Sequence, residues 1–132
     1  MSFAKYAIID ESKHVFEKEP DLYWKVKPPT VRDEVELSRF YQEGRVVVDT
    51  TGKKVVYPWS NIEIAIHQLA LLFGGTNITK EGSDELVLSD KADVNSIEKY
   101  LGTLPTPVVK ELWNALGEAV PTWGPGKTDP KN

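Results

Sequence analysis

Two histidines, His14 and His67, are the residues of this chain best suited to metal binding or proton transfer. His67 follows Glu63 by four residues, a spacing that places an imidazole and a carboxylate on the same side of a helix. Even a catalytic zinc ion keeps three protein ligands, and this pair supplies only two. We therefore predict ordinary surface or half-buried histidines and no metal site.

Acidic residues gather in one stretch, which suggests calcium binding at first sight. An EF-hand loop needs oxygen ligands at alternating positions and a central glycine. Ala92 interrupts the ligand pattern and the glycine is missing, so a solvated loop is the favoured interpretation. The acidic residues concerned are Asp84, Glu85, Asp90 and Asp93.

Two glycine-containing segments bear a partial likeness to phosphate-binding loops. Gly74-Gly75-Thr76 lacks the Gly-Lys-Ser/Thr ending of such a loop, and a helix C-cap is the favoured interpretation. Gly126-Lys127-Thr128 has that ending, but no predicted helix follows it to present a dipole to the phosphate. The sequence has neither a Gly-x-Ser-x-Gly pattern nor a cysteine. We therefore predict a non-enzymatic protein without a catalytic or cofactor site.

The composition is that of one soluble domain. The chain has 132 residues, 40% of them hydrophobic and 27% charged, which is ordinary for a globular protein. Its net charge of −4 disfavours nucleic acid and anionic membranes as partners. Because there is no cysteine and no secretory signal pattern, we expect a cytoplasmic location. The globular domain is predicted to span residues 1–120, followed by a flexible Pro/Gly-rich tail at 121–132.

Capping residues and the apolar periodicity predict four helices. Thr30 precedes two acidic residues, Asp33 and Glu34, which is typical of a helix N-terminus. Ser60 and Glu63 form a capping-box pattern. Apolar residues recur at helical spacing after each predicted start. The four predicted helices span 31–42, 61–73, 94–101 and 107–120.

Short strands are predicted where β-branched and aromatic residues cluster. Val46–Val48 and Val55–Tyr57 flank a turn-rich loop, which indicates a β-hairpin. Further short strands are predicted at Tyr6–Ile9 and Leu22–Val26. The predicted fold class is mainly α within the α+β class, with about four helices, a β-hairpin and one or two short N-terminal strands.

Four large apolar side chains are candidates for contact with a partner. The helix after Ser60 carries a wide apolar stripe and a second patch, Ile64 and Leu71, on nearly the opposite face. Such a helix is either buried on both sides in the core or has one face on a partner. Trp59 lies between the hairpin and this helix, and Trp123 lies in the predicted tail. Because tryptophan is enriched at binding hot spots, both join Ile64 and Leu71 as partner-binding candidates.

One stretch resembles a known family. Tyr23 to Thr30 reads Tyr-Trp-x-Val-x-Pro-Pro-Thr and runs into an Arg-Asp-Glu-Val-Glu-Leu helix. This stretch, about residues 22–45, resembles tail assembly chaperones of long-tailed bacteriophages. The resemblance implies a small, mainly helical, non-enzymatic protein of the host cytoplasm. It also implies that the protein binds the tape measure protein, promotes assembly of the tail tube protein and is absent from the finished virion.

The same resemblance carries two further expectations. Many genes of that family yield a longer product by a ribosomal frameshift near the end of the short reading frame. The codons of Lys131 and Asn132 can form the run of adenines that such slippage uses. Self-association into a homo-oligomer through apolar faces is also expected of a chaperone of this kind.

Three alternatives stay open. A head–tail completion protein or another phage adaptor would remain in the particle, so its presence in purified virions distinguishes it from a chaperone. A small enzyme or ligand-binding domain would use the 84–93 loop and would be stabilised by its ligand. A regulator that binds nucleic acid is the third alternative, and the negative net charge disfavours it.

Overall fold

Four helices and two small antiparallel sheets form the part of the chain that the computed structural model describes, residues 11–126. This arrangement belongs to the α+β class and contains the four predicted helices and the predicted hairpin. The elements in chain order are β1 (Ser12–Val15), β2 (Tyr23–Val26), α1 (Val31–Glu43), β3 (Arg45–Val48), β4 (Lys54–Tyr57), α2 (Asn61–Leu71), β5 (Phe73–Thr76), α3 (Val94–Leu101) and α4 (Thr106–Ala119).

The first sheet has the order β1-β2-β5, with β2 in the centre. Trp24 and Val26 alternate with more exposed neighbours on β2 and are buried in the core, as the period of a strand requires. The predicted strand at 22–26 is therefore confirmed. β1 forms in a charged segment for which no strand was predicted, and the predicted strand at Tyr6–Ile9 lies outside the described residues.

β5 corrects the prediction made for the diglycine. The helix predicted to reach Phe73 ends at Leu71, and Phe73–Thr76 pairs with β2 instead. A Cβ on Gly74 would lie 3.2 Å from both the Cβ and the carbonyl oxygen of Lys25, and Gly75 has a φ of +136°. The two glycines thus let β5 approach β2 closely, so the helix C-cap interpretation is wrong.

α2 is the central helix of the core. It packs against α3 and α4, and α1 contacts it as well. Both Ile64 and Leu71 are buried, which confirms that α2 is covered on its two apolar faces. None of the described helices combines the length and the apolar character needed to cross a membrane.

The segment after α4 folds back onto the domain. The Trp123 side chain is 1% exposed, and its indole N–H donates to Glu34 Oε1 over 3.0 Å. Gly124 has a φ of +94°, and a Cβ there would overlap the Cα of Gly117. The prediction of a flexible tail is therefore wrong for residues 121–126, because a buried tryptophan anchors them. Residues 127–132 lie outside the described part of the chain.

A capping box closes the first turn of α2, as predicted. The Ser60 N–H donates to Glu63 Oε1 over 3.1 Å, and the Glu63 N–H donates to Ser60 Oγ over 3.3 Å. The pKa of Glu63 lies below its usual range, chiefly because the Ser60 N–H donates to its carboxylate. The Ser60 hydroxyl, which donates to the same oxygen over 2.8 Å, and the charge of Arg45 act in the same direction.

Replacing Glu63 with glutamine is expected to lower the free energy of unfolding at pH 7 by roughly 0.3–1 kcal/mol, because the charge at the helix N-terminus is lost. Because the pKa of Glu63 is lower in the folded state than in the unfolded state, its charge stabilises the fold at pH values above the ordinary glutamate pKa of about 4.3. This stabilisation disappears as the pH falls through the pKa of the folded state. Urea unfolding at several pH values should thus show wild type and Glu63→Gln converging in acid. The exposed Glu81→Gln serves as the control. A difference that stays constant down to pH 3 would contradict this account.

Candidate protein-binding surface

The β3–β4 hairpin is closed by a loop of defined geometry. The Asp49 N–H donates to the Lys53 carbonyl over 2.9 Å, and Gly52, with a φ of +83°, supplies the left-handed residue of the turn. Asp49 Oδ1 accepts hydrogen bonds from the N–H and the hydroxyl of Thr51 and from the Lys53 N–H. These bonds lower the pKa of Asp49, the Thr51 hydroxyl contributing most. The loop therefore fixes the register of the two strands.

Three valines share one exposed side of this hairpin. Val46 lies opposite Val56 in the register, and Val48 lies two residues further along β3, so their side chains project from the same face. Their exposed fractions are 55% for Val46, 61% for Val48 and 60% for Val56. We call this set the valine face. On the other side of the hairpin, Val47 and Tyr57 are also exposed.

The hairpin is tied to the domain mainly at its base. The Arg45 guanidinium lies 4.0 Å from Glu63, and Gly44 packs under Val56. Among residues 11–126, no third strand pairs with β3 or β4 and nothing covers the valine face. A two-stranded hairpin is at best marginally stable by itself, and contiguous exposed apolar residues mark interaction sites. The hairpin is therefore the best candidate for contact with another protein.

The sequence-based candidates lie elsewhere. Trp59 is half-buried at the hairpin junction, where its ring stacks on Phe40 at a centroid distance of 4.4 Å. Its indole N–H donates to the Phe40 carbonyl oxygen over 2.7 Å. Ile64 and Leu71 are each 7% exposed on α2, and Trp123 is buried against α1. The structure does not bring these four together into one surface.

Three of those four candidates are not at the surface of the folded domain. Ile64, Leu71 and Trp123 are buried by other elements of the same chain, so the folded domain does not offer them to a partner. The valine face was missed, although the sequence contained a signal. Val46-Val47-Val48 is apolar at consecutive positions, so the strand has no polar side to turn toward water.

His14 lies in an open cleft of about 440 Å³ between β1 and α4. Its Nε2 lies 2.6 Å from Glu111 Oε2, and the same carboxylate oxygen accepts the Glu17 N–H over 3.2 Å. The described lining residues include no hydroxyl or thiol side chain. The arrangement therefore ties β1 and the chain after it to α4.

His67 does not pair with Glu63. Its ring stacks on Phe40 at 3.9 Å between centroids, and its Nδ1 lies 3.3 Å from Glu98. Within the described ranges, no three His, Asp or Glu side chains converge as a metal site would require. His67 thus links α1, α2 and α3 by stacking and one polar contact.

Fold and surface together define a small α+β domain that displays an apolar β-hairpin. Comparison with protein-family models, with curated proteins and with solved structures finds no match to this chain.

Proposed function

We propose that this protein is a non-enzymatic assembly chaperone that covers an apolar segment of a partner protein with its valine face. The exposure of Val46, Val48 and Val56 on a hairpin with no cover from residues 11–126 carries the proposal. The partner proposed is the tape measure protein of a long-tailed phage, with promotion of tail tube assembly as the outcome. This choice of partner is supported by the resemblance of the Tyr23–Thr30 stretch to tail assembly chaperones.

The size of the valine face suits a reversible contact. Full burial of a valine side chain contributes roughly 1.5–3 kcal/mol, and the costs of association offset much of the sum from three such residues. One face therefore binds weakly, while several copies along an extended partner bind it firmly through multivalency. A chaperone that must later give way to tube subunits requires this combination.

Changing Val46, Val48 and Val56 together to threonine is expected to weaken binding to the partner about thirtyfold. Each change replaces a methyl group with a hydroxyl, and loss of the buried apolar area amounts to about 2 kcal/mol in total. Threonine favours strands, so the hairpin is retained. The measurement is the fraction of the co-expressed tape measure protein that stays soluble, together with the affinity for its purified apolar segments.

A matched control uses three valines that are exposed outside the hairpin. Val15, Val31 and Val35 are 45%, 81% and 48% exposed, and changing them to threonine should leave binding intact. Equal losses in both triple variants, or no loss in the hairpin variant, would overturn the proposed surface. Recovery of the protein in purified virions would instead favour a head–tail adaptor.

A further inference from the structure

One edge of β3 pairs with no strand among residues 11–126, and it carries a pattern suited to pairing with a second copy of itself. We infer that a second copy of this chain adds its own β3 antiparallel to that edge, forming one four-stranded sheet with the order β4-β3-β3-β4. The inference rests on the hairpin being an interaction element, as proposed above. It concerns the strand edge, however, whereas the proposed chaperone contact concerns the valine face.

Backbone hydrogen bonding selects the register of this pairing. Asp49 is hydrogen-bonded to Lys53 across the hairpin, and hydrogen-bonded pairs alternate along an antiparallel ladder. Val47 therefore directs its N–H and C=O toward β4, while Val46 and Val48 direct theirs toward the free edge. A two-fold axis at Val47 sets Val46 of one copy opposite Val48 of the other. Each of the two resulting pairs can exchange both of its N–H···O=C bonds.

Side-chain charge agrees with the same register. Pairing centred on Val47 places Arg45 of each copy opposite Asp49 of the other, one such pair at each end of the shared ladder. These positions are non-hydrogen-bonded pairs, where side chains approach most closely, and opposite charges facing each other stabilise a sheet. Arg45 is exposed, and its contact with Glu63 is long, at 4.0 Å. Only Oδ1 of Asp49 is engaged in the turn within the described residues.

The edge of β4 is built differently. Self-pairing there would set Lys53 and Lys54 against Tyr57 and Val56, with no acidic residue to meet the lysines. Pro58 follows directly and has no N–H to donate. Lysine and proline are devices by which natural proteins protect an edge from further pairing. Two protected β4 edges would close the assembly as a dimer with two-fold symmetry and prevent an open fibre.

Dimerisation would also enlarge the valine face. Val46 and Val48 of one copy would lie next to Val48 and Val46 of the other, on the same side of the continuous sheet. The two faces would then form one apolar surface of six valines, with Val46 and Val48 of both copies in the centre and the two Val56 residues at its flanks. A partner segment would meet both copies at once.

Two proline variants of the hairpin test this dimer. Val46 and Val56 are cross-strand partners with similar exposure, and both direct their N–H away from the hairpin. Val46→Pro removes a donor from the β3 edge, and Val56→Pro removes one from the β4 edge. For the full chain we expect a dimer by sedimentation equilibrium, a dimer constant weakened at least about tenfold in Val46→Pro, and little change in Val56→Pro. Far-UV circular dichroism checks that both variants fold.

Amide hydrogen exchange provides a second readout in the unmodified protein. The Val46 and Val48 amides should gain protection as the protein concentration rises, while the Val56 amide should not. A wild-type chain that stays monomeric at about 0.5 mM, or equal weakening in both proline variants, would overturn the inference. The proline variants change one valine-face side chain each as well as a strand edge, whereas the threonine variants keep every backbone N–H. A failed dimer therefore leaves the proposed partner contact separately testable with the threonine variants.

Discussion

Trp123→Ala is expected to lower the free energy of unfolding by about 3–5 kcal/mol, the usual cost of deleting a buried aromatic side chain. Trp123 is 1% exposed although it lies four residues beyond α4. Its loss leaves a cavity between the C-terminal segment and α1 and removes the hydrogen bond to Glu34. The measurement is equilibrium unfolding in urea, read as the shift in midpoint at constant slope.

Two further variants make this prediction decisive. Single domains are stable by only about 5–15 kcal/mol, so Trp123→Ala is expected to be close to unfolding at 37 °C. Trp123→Phe keeps most of the apolar volume and loses the N–H, and we expect it to be intermediate. Thr122→Ala, at the exposed neighbouring position, is the control and should change stability little. A loss below about 1 kcal/mol in Trp123→Ala would mean that residues 121–126 form the flexible tail first predicted.

Gln68→Met is expected to be the second most damaging substitution, at about 2–4 kcal/mol, because it leaves buried donors without acceptors. Gln68 is 1% exposed at the centre of the core. Its Oε1 accepts the indole N–H of Trp113 over 2.8 Å and the Gly124 N–H over 2.9 Å. Its Nε2 donates to the Tyr41 hydroxyl over 2.9 Å. One side chain thus joins α1, α2, α4 and the C-terminal segment.

A double-mutant cycle tests whether Gln68 and its three hydrogen-bond partners act as one network. Methionine has nearly the same shape as glutamine. A loss of stability in Gln68→Met therefore reports the loss of hydrogen-bond partners and not a change in side-chain volume. Trp113→Phe removes one of the stranded donors, so the combined variant should be less destabilised than the sum of the two single variants. Tyr41→Phe is the control, because it leaves only one amide hydrogen of Gln68 without a partner. Burial is the main reason why the pKa of the Tyr41 hydroxyl is raised. Strict additivity, or a loss below about 1 kcal/mol in Gln68→Met, would contradict the network.

The helices and the hairpin that could be predicted from the sequence are specified by hydrogen bonds between residues close together in the chain. Thr30 and Ser60 accept hydrogen bonds from amides three residues ahead, so a few consecutive residues specify where α1 and α2 begin. Gly44 ends α1 with a φ of +61°, and Gly52 forms the turn of the hairpin. Interactions within one turn or one hairpin depend only on residues close in sequence. For this reason four helices and the β3–β4 hairpin could be predicted from the sequence alone.

Contacts between distant parts of the chain decided the rest. Gly74 and Gly75 become a strand because β2 lies beside them. Trp123 is buried because the segment after α4 folds back onto the domain, where Glu34 of α1 accepts its indole N–H. Val46 is left exposed although it is as apolar as any core valine, because no element within residues 11–126 lies over the hairpin. Periodicity shows which residues are apolar, but whether each is buried depends on which surfaces meet in three dimensions. The exposure of the candidate surface, unlike the positions of the helices, is therefore decided by the tertiary structure.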